Sequence, residues 1–378
     1  MGLMKVEFYR HNVTQRDIDN VVKVLNSLFL THGSVVEEFE EKFESYLACK
    51  KAIAVNSCTA ALHISLLAHG IGAGDEVITT PMSFIASSNA IIHAGATPVF
   101  VDVEPETGNI NADLIEPAIT NKTRAILAVH LYGHMCDMKK IHDIAQKRGM
   151  IVIEDAAHCI EGVRDGIRPG TLGDAACFSF YATKNITSGE GGAVVTNNEH
   201  TAEVLRKLSL HGMSKGASER YSKRYEHWDM EILGWKYNMT NIQAAMLLNQ
   251  LENIDETLQI RESICRKYED GFKNNPHIRC MQIMPGTKSA RHLFTIMVAP
   301  EKRDVVLRRI QDKEIGVAVN FRAIHLLTYY RNKFGFAKGM FPVAEKIGDS
   351  TITIPMYTKL TSEEIDYVIS SVNEATQI

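Results

Sequence analysis

The sequence has no apolar run long enough to cross a bilayer, and its first residues, MGLMKVEFYRHNVTQRD, lack the apolar core of a signal segment. A cytoplasmic protein is the expectation. Val6 stands where a myristoylation signal starting at Gly2 needs Ser or Thr. A basic tract is also lacking: the net charge is −4 and Lys and Arg are scattered, which argues against nucleic acid or a membrane as partner. Seven cysteines, at 49, 58, 136, 159, 177, 265 and 280, form no CxxC, and several sit inside apolar strands. Reduced, buried thiols fit that pattern better than a disulfide framework. HLYGHMC contains His130, His134 and Cys136 but no second ligand pair at a matching spacing, so no metal is expected. GxxxxGK[ST] does not occur, and GIGAG at 70–74 follows a helix pattern and is not GxGxxG. A P-loop and a dinucleotide fingerprint are both excluded.

What is present is a chain of 378 residues, 45% apolar and 23% charged, long enough for one large and one smaller domain. From residue 31 to 200, strand and helix patterns alternate. AIAV (52–55), DEVITT (75–80), TPVFVDV (97–103), RAILAVHL (124–131), MIVIEDA (150–156), DAACFSFYAT (174–183) and GGAVVTN (191–197) read as strands. Their nearly continuous apolar runs mark a mostly parallel sheet covered by helices on both faces. Ser34 with Glu37 predicts a capping box, Asp137 a helix cap, and Gly70 and Gly95 helix ends. Thr240 with Gln243 predicts the start of a long helix running past 260. Before it, YSKRYEHWDMEILGWKYNMT (221–240) reads as a covering loop. The last hundred residues read as a smaller α+β domain. The domains are therefore expected at 12–245 and 246–378, with segment 1–11 a candidate to pack on the second.

In such sheets ligands bind beyond the carboxyl ends of the strands. Three strand ends carry suggestive groups. Asn56-Ser57-Cys58-Thr59 after AIAV is either an anion site at a helix start or a plain N-cap. Asp155 and His158, in IVIEDAAHCIEG, are either a carboxylate and imidazole facing one cavity or a helix cap and a core histidine. Lys184, in FSFYATKNITSGEGG (178–192), is either a surface residue or an amine held in a partly dry cleft, where its pKa falls. Ser179 and Thr183 add hydroxyls beside it, and the glycines let the backbone bend closely around a ligand. Phe84 follows DEVITT at the same end of the sheet, free to stack on a flat ring or to pack in the core. Pyridoxal 5′-phosphate matches these parts: it needs a lysine, a carboxylate for its ring nitrogen, an anion site and something flat against the ring.

Those segments, together with HGM (211–213), GWKYNMTNIQAA (234–245) and NFRAIH (320–325), resemble the DegT/DnrJ/EryC1/StrS family of sugar-nucleotide aminotransferases over nearly the whole chain. The resemblance implies the aspartate-aminotransferase-like, type I PLP fold, with a seven-stranded large domain, and a homodimer with shared active sites. It implies that Lys184 carries the cofactor and moves the proton, that Asp155 partners the pyridine nitrogen, and that His158 lies beside the ring. It places Ser57, Cys58, Thr59 and Ser179 on the phosphate, with Asn238 reaching the phosphate from the partner subunit. Tyr181 stands where many relatives have His, at a substrate position. The implied reaction moves an amino group from glutamate, through pyridoxamine 5′-phosphate, to a keto group of a nucleotide-linked deoxysugar. Arg322, His325, His211 and His292 are candidates for the anionic substrate groups, or solvated surface residues. GWKYNMT, FRAIH and YYRNKFG resemble the branch that aminates C-4 of UDP-linked 4-keto sugars, in lipopolysaccharide or other cell-surface glycan synthesis. Amination at C-3, a lyase or dehydratase, and a non-catalytic regulator remain the alternatives.

Overall fold

The computed structural model describes residues 4–214 and 227–377. Residues 221–226 of the expected covering loop, and 1–3 of the N-terminal segment, lie outside the described residues. The strands are β1 (Lys51–Val55), β2 (Glu76–Thr79), β3 (Thr97–Phe100), β4 (Thr123–Val129), β5 (Ile151–Asp155), β6 (Val163–Arg164), β7 (Ala175–Ser179), β8 (Gly192–Thr196), β9 (Arg279–Cys280), β10 (Thr287–Lys288), β11 (Phe294–Met297) and β12 (Thr351–Ile354). Seven of them form one sheet in the order β1-β8-β7-β5-β4-β2-β3. Only β8 runs against its neighbours.

Both faces of this sheet are buried, which explains the unbroken apolar runs. Ala52, Ala54, Ile126, Ala128, Phe178 and Val195 face one core, where Phe39 and Phe43 meet Phe178 and Phe180 edge to face. Their alternates Ile53, Val55, Leu127, Cys177 and Val194 face a second core with Leu62, Ile64 and Ile91. Each fully buried Ile or Leu contributes about 1.5–3 kcal/mol.

Helix starts follow the sequence with one exception. Ser57, Asp137 and Thr240 cap their helices as expected, Thr240 in a complete capping box. Ser34 does not cap: it is the first residue of helix Ser34–Leu47, whose N-cap is Gly33. The Glu37 amide, which a Ser34 cap would have taken, donates to Gly33 O at 3.1 Å, and the Val36 amide donates to Asn241 Oδ1 at 3.2 Å, 205 residues away in sequence. The long helix expected after Thr240 is two helices, Asn241–Glu252 and Ile254–Phe272. Asn253 interrupts them, its side-chain amide donating to Asn249 O at 2.7 Å.

A third core joins β11 and β12 to the helices Ile254–Phe272, Arg303–Gln311 and Ser362–Ala375. Val6 is buried in it, with Val6 N–H donating to Glu314 O and Gly316 N–H to Val6 O. The boundary expected at 245 falls inside helix Asn241–Glu252. Leu247, Leu251 and Ile254 pack in the sheet's first core, whereas Ile264, Cys265 and Tyr268 pack in the third. We therefore propose that the division lies within helix Ile254–Phe272.

Candidate active site

The carboxyl ends of β1, β2, β5 and β7 lie at one edge of the sheet. Antiparallel β8 begins at that same edge, with Gly192 opposite both Val55 and Ser179. A cavity of about 480 Å³ opens there. Ser57, Cys58, Thr59, Phe84, Asp155, His158, Ser179, Tyr181, Lys184 and His292, ten of the residues singled out from sequence, line it together.

At its base, Asp155 ends β5 and is 5% exposed. Its Oδ2 accepts from Ser87 Oγ at 2.7 Å and its Oδ1 from the Ala157 N–H at 3.1 Å. Ser87 Oγ also touches Ser83 Oγ at 2.8 Å. The carboxyl group is thus fixed in place by two donors. His158 receives the Tyr132 N–H on Nδ1 at 3.2 Å, which leaves the proton on Nε2. Burial, then the nearby Lys184 ammonium, holds this imidazole well below its usual pKa, so it is neutral.

Lys184 sits in a turn closed by its own N–H to Tyr181 O at 2.9 Å. Burial pushes its pKa down to about 8, against the opposing pull of the Cys58 thiol and Asp155. At pH 7 about a tenth of such an amine is free base, against about one part in 2,500 for an ordinary lysine. The turn is also held from outside: the Tyr9 hydroxyl of the N-terminal segment donates to Ala182 O.

The helix start beside β8 explains one of the glycines. Ser57 accepts from Ala60 N–H at 3.1 Å as N-cap of helix Cys58–Ala68, leaving amides at the helix start for an anion. Room around a ligand was the expected reason for GEGG, but Gly192 has another. A Cβ there would lie 2.5 Å from Ser57 C and 2.6 Å from Cys58 N. The missing side chain lets β8 pack against the Ser57–Cys58 backbone. Gly192→Ala is therefore expected to cost about 1–3 kcal/mol and to displace the helix start. Thermal melts with and without PLP check this: the variant should melt lower and lose most of the rise that PLP gives the wild type. An unchanged rise contradicts it.

Four expected residues lie outside this cavity's lining. His325 is fully buried and bonds Glu345 Oε1 through Nε2 at 2.9 Å. Glu345 Oε1 also collects the Gly339 N–H at 2.7 Å, so His325 is engaged in bracing residues 337–341 against helix Pro342–Ser350. The chain turns inward after Phe321: Asn320 and Phe321 face the cavity, Arg322 is exposed, and Ala323 to His325 are buried. His211 is exposed. Asn238 lines a separate depression of about 780 Å³ with Glu40 and Arg206. Its Oδ1 is buried and has no hydrogen-bond partner among the described residues.

Sequence reasoning missed several lining residues: Phe8, Glu190, Asn320 and Phe321. Phe321 stacks near His158, with ring centroids 6.0 Å apart and planes 16° apart. Phe84 is 55% exposed, its ring 5.9 Å from that of Phe321. An exposed aromatic at the mouth of a cavity is the form a ring-stacking residue takes before its ligand binds. NFRAIH was visible as a segment, but which side chains turned inward was not. Phe8 gave no signal.

The cavity therefore holds an amine of lowered pKa, a fixed carboxylate, a helix N-terminus and an exposed aromatic, the four parts that PLP requires. Bound there, the cofactor supplies an electron sink for breaking bonds at an amine-bearing carbon. The fold and this set of groups define a PLP enzyme of type I fold. The chain belongs to the DegT/DnrJ/EryC1/StrS aminotransferase family, whose model matches residues 11–373. It is 39% identical over 368 residues to the spore coat polysaccharide biosynthesis protein SpsC of Bacillus subtilis, covering 96% of this chain and 95% of that one. It is 36% identical over 369 residues to GDP-perosamine synthase of Caulobacter vibrioides, covering 94% of each. Spr1654 of Streptococcus pneumoniae, solved in its PMP form, superposes with a TM-score of 0.93 at 32% identity over 99% of both chains. The protein is a PLP-dependent aminotransferase.

Proposed function

We propose that the enzyme transfers the amino group of glutamate to the C-4 keto group of a nucleotide-linked deoxysugar, for cell-surface glycan or lipopolysaccharide precursors made in the cytoplasm. The observation that carries the reading is that Lys184, Asp155 and the Ser57 helix start line one cavity. The sugar class is supported by relatives named for polysaccharide biosynthesis and for perosamine synthesis. C-4 rests on the resemblance of GWKYNMT, FRAIH and YYRNKFG to that branch.

In this reading Lys184 holds the cofactor and then, released as a free amine, carries the proton at the reacting carbon in both half-reactions. Asp155 keeps the ring nitrogen protonated. His158 donates its Nε2 proton toward the ring's phenolic oxygen. The amides of Cys58 and Thr59, with the hydroxyls of Ser57, Thr59 and Ser179, hold the phosphate. Phe84 covers one face of the ring, and Tyr181 meets the sugar. The active unit is a homodimer. Among the described residues, side chains lining the cavity carry one cation, Lys184, and two carboxylates, Asp155 and Glu190. Glutamate's carboxylates and the sugar's diphosphate need further positive charge, for which a second subunit is the proposed source. Asn238 reaches the partner's phosphate site from the surface it occupies.

The test is a panel of 3-keto and 4-keto nucleotide sugars with glutamate as donor, product structure being read by NMR. A 4-amino product is expected. A 3-amino product overturns the position, and failure to aminate any sugar overturns the substrate class.

A further inference from the structure

We propose that the buried chain Arg261–Glu161–Asn185 fixes His292 as a hydrogen-bond acceptor facing the cavity, and that this acceptor reads a hydroxyl of the keto-sugar. His292 then serves the second half-reaction rather than the first. The inference rests on the sugar reading above.

Asn185 follows Lys184 in the chain. Its Nδ2 donates to Glu161 Oε2 at 2.8 Å and to Ala290 O at 3.0 Å. With the nitrogen so engaged, the amide turns Oδ1 to its remaining partner, His292 Nδ1 at 3.2 Å. A carbonyl oxygen only accepts, so His292 carries its proton on Nδ1 and keeps a lone pair on Nε2. Glu161 is itself held by the Arg261 guanidinium, both side chains being almost fully buried at 0% and 4% exposed. The amide therefore has no free choice of orientation. Burial first, then the charges of Lys184 and Arg261, keep His292 well below its usual pKa and so neutral.

His158 is wired the opposite way, its Nδ1 accepting from the backbone and its proton left on Nε2. The two rings stand 4.4 Å apart, and both line the cavity. That wall thus offers one donor and one acceptor. Glutamate's carboxylates only accept hydrogen bonds, and its amino group is the group that reacts, so it has little to give a lone pair on His292. A sugar hydroxyl has a proton to donate.

The experiment follows the two half-reactions separately on holoenzyme matched for cofactor content. Glutamate converts the enzyme to its amine form, and the sugar aminated in the panel above converts it back. His292→Phe should slow the sugar step about tenfold more than the glutamate step, the value of one neutral hydrogen bond. His292→Gln, whose side-chain oxygen reaches the place of Nε2, should recover most of that difference. Asn185→Leu leaves the imidazole but frees its tautomer, and should show the same selective loss in smaller measure. Equal slowing of both steps in His292→Phe and Asn185→Leu overturns the inference and leaves the sugar reading intact. A wild-type enzyme that accepts glutamate but no keto-sugar overturns both.

Discussion

Lys184→Ala is expected to lower turnover of both half-reactions by about 10⁴-fold, the upper range for loss of a positioned acid–base group. It should also remove the yellow colour that borohydride fixes to the protein. Both losses follow from one side chain in two roles. The amine must first be free base to join the cofactor, and burial that brings its pKa to about 8 raises the share that is. Once released, it would be the amine in this cavity that moves the proton at the reacting carbon. Neither neutral imidazole replaces it: His158 and His292 are both too weakly basic to take a proton near pH 7. Absorbance spectra and single-turnover rates with glutamate check the result. Turnover within tenfold of wild type contradicts the assignment.

Asp155→Asn separates cofactor binding from chemistry. The amide keeps the shape of the carboxylate and can still accept from Ala157 N–H, while the Ser87 hydroxyl turns to accept from it. The fold and the yellow colour should persist. Turnover should fall about 10²–10³-fold, the loss typical of removing one preorganised charge partner. The variant also carries a pH signature. Asp155 raises the Lys184 pKa, so removing its charge lowers that value further below about 8. Capture of PLP by apoenzyme needs the free amine. In the wild type its rate should climb with pH and level off above about 8, and in Asp155→Asn it should level off at lower pH. Stopped-flow absorbance measures both, and a midpoint unmoved or moved upward contradicts the coupling.

The sheet was legible because each strand's residues satisfy two cores at once, which leaves unbroken apolar runs such as AIAV and AACFSF. The site was legible where a chemical group sits at a strand's end: Ser57, Asp155 and Lys184 each follow a run that stops. What was hidden depends on partners distant in sequence. Ser34 looks like a cap, but the helix is capped one residue earlier, at Gly33, and Asn241 from a distant helix accepts from the Val36 amide. Gly192 looks like room for a ligand, but it is room for the Ser57–Cys58 backbone. His325 reads as a substrate group in NFRAIH, and only the Glu345 side chain shows it to be a brace. Asn185 reads as one more polar residue in a loop, and its orientation is set by Glu161 and Ala290. Periodicity carries no trace of such pairings, because each is decided by which loops the fold brings together.

The central claim is that Lys184 holds PLP in an enzyme that exchanges its amino group with glutamate. Borohydride reduction of the holoenzyme, followed by peptide mapping, tests it most directly. The cofactor's mass should appear on the peptide bearing Lys184. Prior incubation with glutamate should prevent that labelling while releasing one equivalent of 2-oxoglutarate per site. Label on another lysine, or labelling that glutamate leaves undiminished, would contradict the claim.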